Sequence, residues 1–487
     1  MSFMSVRRSG RALAAWLAAG AVAVITASTT VVVTEQPVVA ADKRPNIILI
    51  TTDDMSLTDL RWMPQTRKLI RGAGANVSGF LSNHPLCCAA RAEILTGQYA
   101  HNNGVHHNGG QNGGYPALLS KSQHIGTWLR NAGYRTAFVG KHLNLWEQTR
   151  HRQPGWSRFN PALRGIYHPF RITMFHGGQP RTYRGTHTSD LMGQFTTRYI
   201  RAFSRSGAPF FIWTSQVAPH QMNVDGRWRP PVPAVRHRDL YATVMPPTLS
   251  DPAYDGADVS DKPPYVQAST TVSRDTVIAW HRARIRSLRS VDDQVKEMVE
   301  ALRSVGELRN TFIFFTSDNG YMLGEHRQTG KNKPYEESVR VPLVVRGPGI
   351  PAGALRREIY GLVDLAPTFL HIAGATAGRP LDGRSMLPTL RRGTPGYDNY
   401  LMQAGHADAP WWWRGVGSTD FVYTRYDADG FEELYDMRSD PHQLQNVAND
   451  PDYAATKAEY AARLAALSTC AGPTCLEADI PPEPPTS

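Results

Sequence analysis

Five short apolar runs, each followed by small or polar residues, constrain this chain more than any other feature. They are Asn46–Thr51, Thr136–Val139, Phe210–Thr214, Thr311–Thr316 and Val341–Val345. Their brevity and their β-branched and aromatic content suit strands buried on both faces. Between them, Ser122–Ala132 and Ala279–Val305 carry the periodicity of amphipathic helices. Strands alternating with helices predict an α/β fold with a parallel sheet covered on both sides. In such a sheet the strand ends share one edge, where ligands bind.

Chemistry is concentrated at those ends. The first run leads to Asp53 and Asp54, the second to Gly140 and Lys141, the third to Pro219 and His220, and the fourth to Asp318, Asn319 and Gly320. Any one of these clusters could be a turn or a helix cap. Together, Asp53, Asp54, Asp318 and Asn319 offer oxygen donors alone, which suits a hard divalent cation rather than Zn²⁺ or Cu²⁺.

The rest of the chain frames that edge. Trp146–Thr188 and Asn223–Ser269 read as loop excursions that shape a pocket. After about residue 390 a second module is expected, with strand-like Gly415–Tyr426 and Phe431–Asp436, a helix over Asp452–Leu467, and a Pro-rich, acidic, disordered tail over residues 477–487. Residues 1–41 have the layout of an export signal: Arg7, Arg8 and Arg11, an apolar run, then small residues. Uncleaved, the segment is long enough to anchor the chain in a membrane. In an exported chain, Cys470 and Cys475 are expected to close a small disulfide loop. Lys and Arg exceed Asp and Glu by 53 to 42, a formal charge of +11 that favours an anionic partner without naming it. Trp411, Trp412 and Trp413 could stack on sugar rings or pack the module onto the body.

The segment Cys87-Cys88-Ala89-Ala90-Arg91 through Thr96-Gly97 resembles the signature of the sulfatase family, with Cys87, four residues before Arg91, at the modified position. Thr316–Tyr321, Tyr335–Pro342, Asp382–Leu387 and Glu433–Asp436 resemble further motifs of that family, over roughly Arg44 to Pro451. Gly140–Asn144 and Ser290–Asp293 are similar to the N-acetylglucosamine-6-sulfatase and heparan endosulfatase branch. The resemblance implies a large mixed, mostly parallel sheet sandwiched by helices, alkaline phosphatase-like, with a smaller C-terminal module containing a short antiparallel sheet. It divides the chain into a catalytic domain at 42–390 and a C-terminal subdomain at 391–476.

The same resemblance implies an exported sulfuric ester hydrolase. Cys87 would be converted to formylglycine by a separate formylglycine-generating enzyme, and the aldehyde hydrate would be the nucleophile. Asp53, Asp54, Asp318, Asn319 and the modified Cys87 would hold Ca²⁺, with Mg²⁺ as the alternative. Arg91 would steady the hydrate, Lys141 and Lys331 would bind sulfate, and His220 would be the general acid. His326 is a second candidate acid. The implied partner is a sulfated small molecule or glycan rather than nucleic acid. Two alternatives stand beside this reading: a phosphodiesterase or phosphonate monoester hydrolase on the same fold, and a non-catalytic binder of sulfated glycans if Cys87 stays a thiol.

Overall fold

Every residue of β1 (Asn46–Asp53) is buried, because this strand lies within a ten-stranded sheet. The computed structural model describes residues 44–149, 152–254, 258–409 and 411–477. The export segment, and the tail beyond Glu477, lie outside the described residues.

The other strands are β2 (Ala75–Leu81), β3 (Arg135–Gly140), β4 (Arg158–Arg164), β5 (Arg171–His176), β6 (Gln179–Arg184), β7 (Phe210–Pro219), β8 (Thr311–Ser317), β9 (Leu343–Arg346) and β10 (Ala354–Gly361). Their order is β10-β2-β9-β8-β1-β7-β3-β4-β5-β6. From β8 to β4 all neighbours are parallel. β9 runs antiparallel to both β8 and β2, and β5 and β6 extend the far edge as antiparallel strands. The sheet is therefore mixed and mostly parallel.

Side-chain alternation explains why the central strands are apolar throughout. Ile47 and Leu49 enter one core while Ile48 and Ile50 enter another, and Phe312 and Phe314 separate from Ile313 and Phe315 in the same way. Helices α1 (Cys87–Thr96), α2 (Ile125–Asn131) and, further along, the one at Leu365–Ala373 supply the first core. The second is covered by α3 (Thr188–Ser204) and α4 (Arg274–Ser304). The Ser273 hydroxyl caps α4 by accepting from Thr276 N at 3.3 Å, so the helix starts before its apolar stripe does.

The expected loop at Trp146–Thr188 is a correction, since it contains β4, β5 and β6. Their outward positions carry Arg, Thr and Gln, and only a few residues such as Ile172, Met174 and Phe175 are buried, so no apolar run marks them. Among its described residues, 223–269 holds short helical turns at Val235–His237, Pro247–Ser250 and Pro264–Gln267 and most of a hairpin formed by Met222–Val224 and Arg227–Arg229. The run expected at Val341–Val345 pairs from Leu343 and is antiparallel to β8, unlike the parallel arrangement that strand and helix alternation predicts.

A second sheet of four antiparallel strands follows in chain order: β11 (Tyr400–Ala404), β12 (Trp413–Gly417), β13 (Phe421–Tyr426) and β14 (Glu432–Asp436). The strand-like stretch Gly415–Tyr426 falls in two strands, turned at residues 418–420. Leu401, Val416, Tyr423 and Leu434 pack on Tyr460, Leu464 and Leu467 of the helix Ala454–Leu467. Met402, Trp413, Val422 and Tyr426 on the other face join the core of the large sheet, and the described residues form one compact unit. Cys470 and Cys475 are joined by a disulfide. Among the described residues no helix is long and apolar enough to cross a membrane.

Candidate active site

Parallel register brings the four polar clusters together. Thr52 lies opposite Ser317, Asp53 opposite Pro219, and Gly140 opposite Ser215, so Asp53, Asp54, Asp318, Asn319, His220 and Lys141 leave the sheet at one edge. Asp54 adopts a left-handed φ of 66°, which Asp tolerates better than most residues. Gly140, at φ 106°, passes so close to β7 that a Cβ would sit 2.0 Å from the Ser215 carbonyl oxygen. Only glycine allows that approach, which lets Lys141 N donate to Ser215 O at 3.0 Å.

The nucleophile candidate arrives on α1. Cys87 is its first residue, and all ten residues of the helix are buried. Ala89, Ala90 and Ala92 make this feasible by letting the helix sit deep against the sheet, and Gly97, at φ 65°, ends it. The Cys87 thiol donates to Asp53 Oδ1 at 3.3 Å and accepts from Lys331 Nζ at 2.8 Å. Lys331 is set by its neighbour: Asn332 N donates to Pro85 O at 3.0 Å, and Trp413 Nε1 of the second sheet donates to Asn332 O at 3.1 Å.

Three carboxylates face three cations here. Lys141 pairs with Asp53 and Lys331 with Asp54. Arg91 holds Asp318 Oδ2 through two nitrogens at 2.9 and 2.7 Å and lies 3.6 Å from Asp53. His220 Nδ1 lies 2.6 Å from the Gln221 carbonyl, so Nδ1 carries the proton and Nε2 faces Asp54 Oδ2 at 3.6 Å. One ligand atom from each of Asp53, Asp54, Cys87 and His220 falls within 4.8 Å of the others.

Burial and charge compete at every one of these groups. Burial alone would raise the Asp53 carboxyl, but Lys141, His220 and Arg91 outweigh it and hold Asp53 well below the usual carboxylate range. Asp318 goes the other way: burial and Asp53 together push it up to about 6. Burial lowers His220 to about 4, against the pull of Asp54 and Asp53. The Cys87 thiol is pushed up to about 12 by burial and by Asp53, so as a thiol it is not a nucleophile at neutral pH.

The structure thus gathers Asp53, Asp54, Cys87, Arg91, Lys141, His220, Asp318, Asn319 and Lys331. Asp318 and His220 make contacts beyond those expected of them. Asp318 spends its oxygens on Arg91 and on the N–H groups of Asp54 and Asn319, while His220 enters the group able to hold an ion. His326, the second candidate acid, does not join the cluster: its ring is fully buried and stacks on Tyr335 at 4.1 Å, with Lys262 and His442 as neighbours. Of the tryptophans, Trp413 is buried in β12, Trp412 packs on Tyr265, and Trp411 stacks on His106 at 4.2 Å. Sequence reasoning missed Ser215, whose hydroxyl accepts from Arg91 and donates to Lys141 O, although it directly follows the run Phe210–Thr214. It also missed Tyr167, whose ring stacks on His220 at 4.5 Å and lies 5.1 Å from Lys141 Nζ. No local pattern marks that tyrosine.

Comparison with known proteins agrees with this geometry. The Sulfatase family model matches residues 45–375, and the model described as N-sulphoglucosamine sulphohydrolase, C-terminal, matches residues 324–469. The arylsulfatase of Volvox carteri is 30% identical, across 90% of this chain and 76% of its own. The N-acetylglucosamine-6-sulfatase of Capra hircus is 30% identical, across 89% of this chain and 85% of its own. The extracellular sulfatase SULF-1 homolog of Drosophila melanogaster is 35% identical over 72% of this chain, which spans 32% of that protein. Among solved structures, BT4656 in complex with its substrate D-glucosamine-2-N,6-O-disulfate superposes with a TM-score of 0.74 at 21% identity, over 91% of this chain and 100% of the other. The phosphonate monoester hydrolase of Agrobacterium radiobacter gives 0.63 at 21% identity, over 87% and 95%. At such identities the structures show a common fold and no more. The family match and the relatives at 30% identity settle the assignment: this chain belongs to the sulfatase family, and is a sulfuric ester hydrolase.

Proposed function

We propose that the protein hydrolyses sulfate monoesters on sulfated amino-sugar glycans, with an oxidised Cys87 carrying the nucleophile and a divalent cation held beside it. One observation carries the reading: Cys87 lies buried between Lys331 and Asp53, with Arg91 and Lys141 on the same carboxylates, where its thiol cannot ionise. A formylglycine there, formed by a formylglycine-generating enzyme, would supply as its hydrate an oxygen nucleophile in place of sulfur.

The residues present fit a hard cation. Among the described residues Asn319 Oδ1 is a fully buried acceptor without a partner, while Asn319 N and Nδ2 donate to Asp318 Oδ1 and Asp54 Oδ1 at 2.9 and 2.8 Å. Asp53, Asp54, Asp318 and Asn319, with residue 87, would hold Ca²⁺ or Mg²⁺. When bound, the ion would supply positive charge beside the reacting oxygen. Lys141 and Lys331 bind the sulfuryl oxygens and lower the energy of the charge that grows there. Arg91 holds Asp318 and the end of β3 in place through its bonds to Asp318 and Lys141 O. His220 Nε2 is the atom that gives a proton to the leaving oxygen, and a neighbouring sulfate raises its affinity for that proton.

Residues 42–390 carry this machinery in our reading, and 391–476 brace the Lys331 loop through Trp413. The export layout of residues 1–41 and the Cys470–Cys475 disulfide support an extracellular setting.

Sulfate release from an aryl sulfate and from N-acetylglucosamine 6-sulfate tests the proposal, together with peptide mass spectrometry of residue 87. Full activity in a Cys87→Ala protein, or faster turnover of a matched phosphonate ester, would overturn it. Chelation is expected to abolish activity and added Ca²⁺ or Mg²⁺ to restore it. Activity that survives exhaustive chelation removes the cation from the reading.

A further inference from the structure

An arginine surface beside the site is used by none of the chemistry above. From Gln148 to Ser189 the chain contains seven arginines and no Asp or Glu. Two of them, Arg171 and Arg184, stand directly opposite each other on β5 and β6, and both are exposed. Like charges in that register destabilise a hairpin. Edge strands carry charge to block pairing with other chains, but that purpose does not require an opposed pair.

A second element adds to this surface. The hairpin of Met222–Val224 and Arg227–Arg229 presents Arg227, Trp228 and Arg229, all exposed, with Trp228 51% accessible. Among the described residues none of Arg171, Arg184, Arg227 and Arg229 forms an ion pair with a carboxylate. The two elements meet at Tyr167 and His168. Asn223 N donates to Tyr167 O at 2.8 Å, and burial, with Arg171 and Arg184, depresses the affinity of His168 for a proton against the pull of Asp225. From there a line of rings leads to the site: Trp228 lies 5.3 Å from Tyr167, and Tyr167 lies 4.5 Å from His220.

We propose that this surface is an outer subsite for a second anionic sugar of the same chain, so that the substrate is a sulfated oligosaccharide running from Lys141 and His220 over Tyr167 and Trp228 toward the four arginines. The inference rests on the sulfatase reading above and extends it to chain length. The chemistry is complementary: indole and phenol faces stack on sugar rings, and guanidinium groups bind sulfate oxygens in pairs. A membrane surface suits the patch less, because Trp228 is its single large exposed apolar side chain and the β5–β6 outer face carries Thr173 and Thr182.

The test compares wild type with Arg171→Ala/Arg184→Ala and Arg227→Ala/Arg229→Ala on N-acetylglucosamine 6-sulfate and on a 6-sulfated heparan tetrasaccharide. Wild type is expected to favour the tetrasaccharide by at least about tenfold in kcat/KM, chiefly through KM. Each double variant is expected to bring that ratio to within about threefold of unity. A flat ratio in wild type, or an unaltered ratio in both variants, would overturn the proposal. Retention of the Cys87→Ala protein on immobilised heparin gives a readout without turnover, and the double variants are expected to elute at lower salt. If wild type cleaves no sulfate ester while retention still depends on these arginines, the hydrolase reading fails and the subsite stands. Arginine-dependent binding to phosphatidylserine vesicles with no heparin retention would sink it.

Discussion

Two clusters of buried carboxylate solve the same problem by opposite means. At the sheet edge, Asp53, Asp54 and Asp318 are matched by Lys141, Lys331 and Arg91. In the second sheet, no cation among the described residues forms an ion pair with the fully buried Glu433, which accepts instead from the hydroxyls of Tyr335, Tyr426 and Tyr435 at 3.0, 2.8 and 2.5 Å. Burial raises the Glu433 carboxyl despite those three donors, whereas neighbouring cations hold Asp53 down. Uncharged donors suffice to hold a sheet against the body. Six ions in one buried place are costly to desolvate, which makes sense where charge must meet an anionic substrate.

The largest effect is expected from Asp53→Asn, which should lower kcat/KM for sulfate esters by at least about 10³-fold, equivalent to roughly 4 kcal/mol. The same change leaves Lys141 buried without its charge partner. Denaturation is expected to show a loss of about 3–5 kcal/mol, and an unchanged midpoint would show that the ion pairs contribute nothing to folding. Glu433→Ala should cost about 3 kcal/mol by removing the acceptor of three tyrosine hydroxyls, of which that of Tyr426 keeps a partner in Tyr265. Its sulfate release per folded molecule should stay within about twofold of wild type; a 10³-fold loss would erase the division between the two clusters.

The smallest effect is a slope. A carboxyl raised in the folded state stabilises below its unfolded value, and that contribution is lost as pH rises through the folded value. Glu433→Gln lacks this dependence, so the variant should gain on wild type between pH 5 and pH 8 by about 1 kcal/mol or less, read from paired melting curves. A gap that stays constant or moves the other way would show that Glu433 is ionised among its tyrosines.

Much of this molecule was legible because its central strands are buried on both faces. Continuous runs such as Asn46–Thr51 and Thr311–Thr316 can exist only there, and the strand pattern alone puts the residues just past them, Asp53, Asp54, Asp318 and Asn319, on one edge. The signature around Cys87 and Arg91 marked the nucleophile candidate because it is local. By contrast, β4–β6 escaped notice, since one face is solvated and carries arginine. Tyr167 escaped for a related reason: its partners His220 and Lys141 are distant in sequence.

The sequence by itself determined the alternation of strands and helices, the oxygen-donor chemistry at the strand ends and the family, all of which are written in short contiguous segments. Only the tertiary structure decided that Arg91 pairs with Asp318, that His326 stacks on Tyr335 away from the site, and that Trp413 packs instead of facing sugar. The reason is physical: which partner a buried polar group finds depends on distances between segments far apart in the chain, and packing sets those distances.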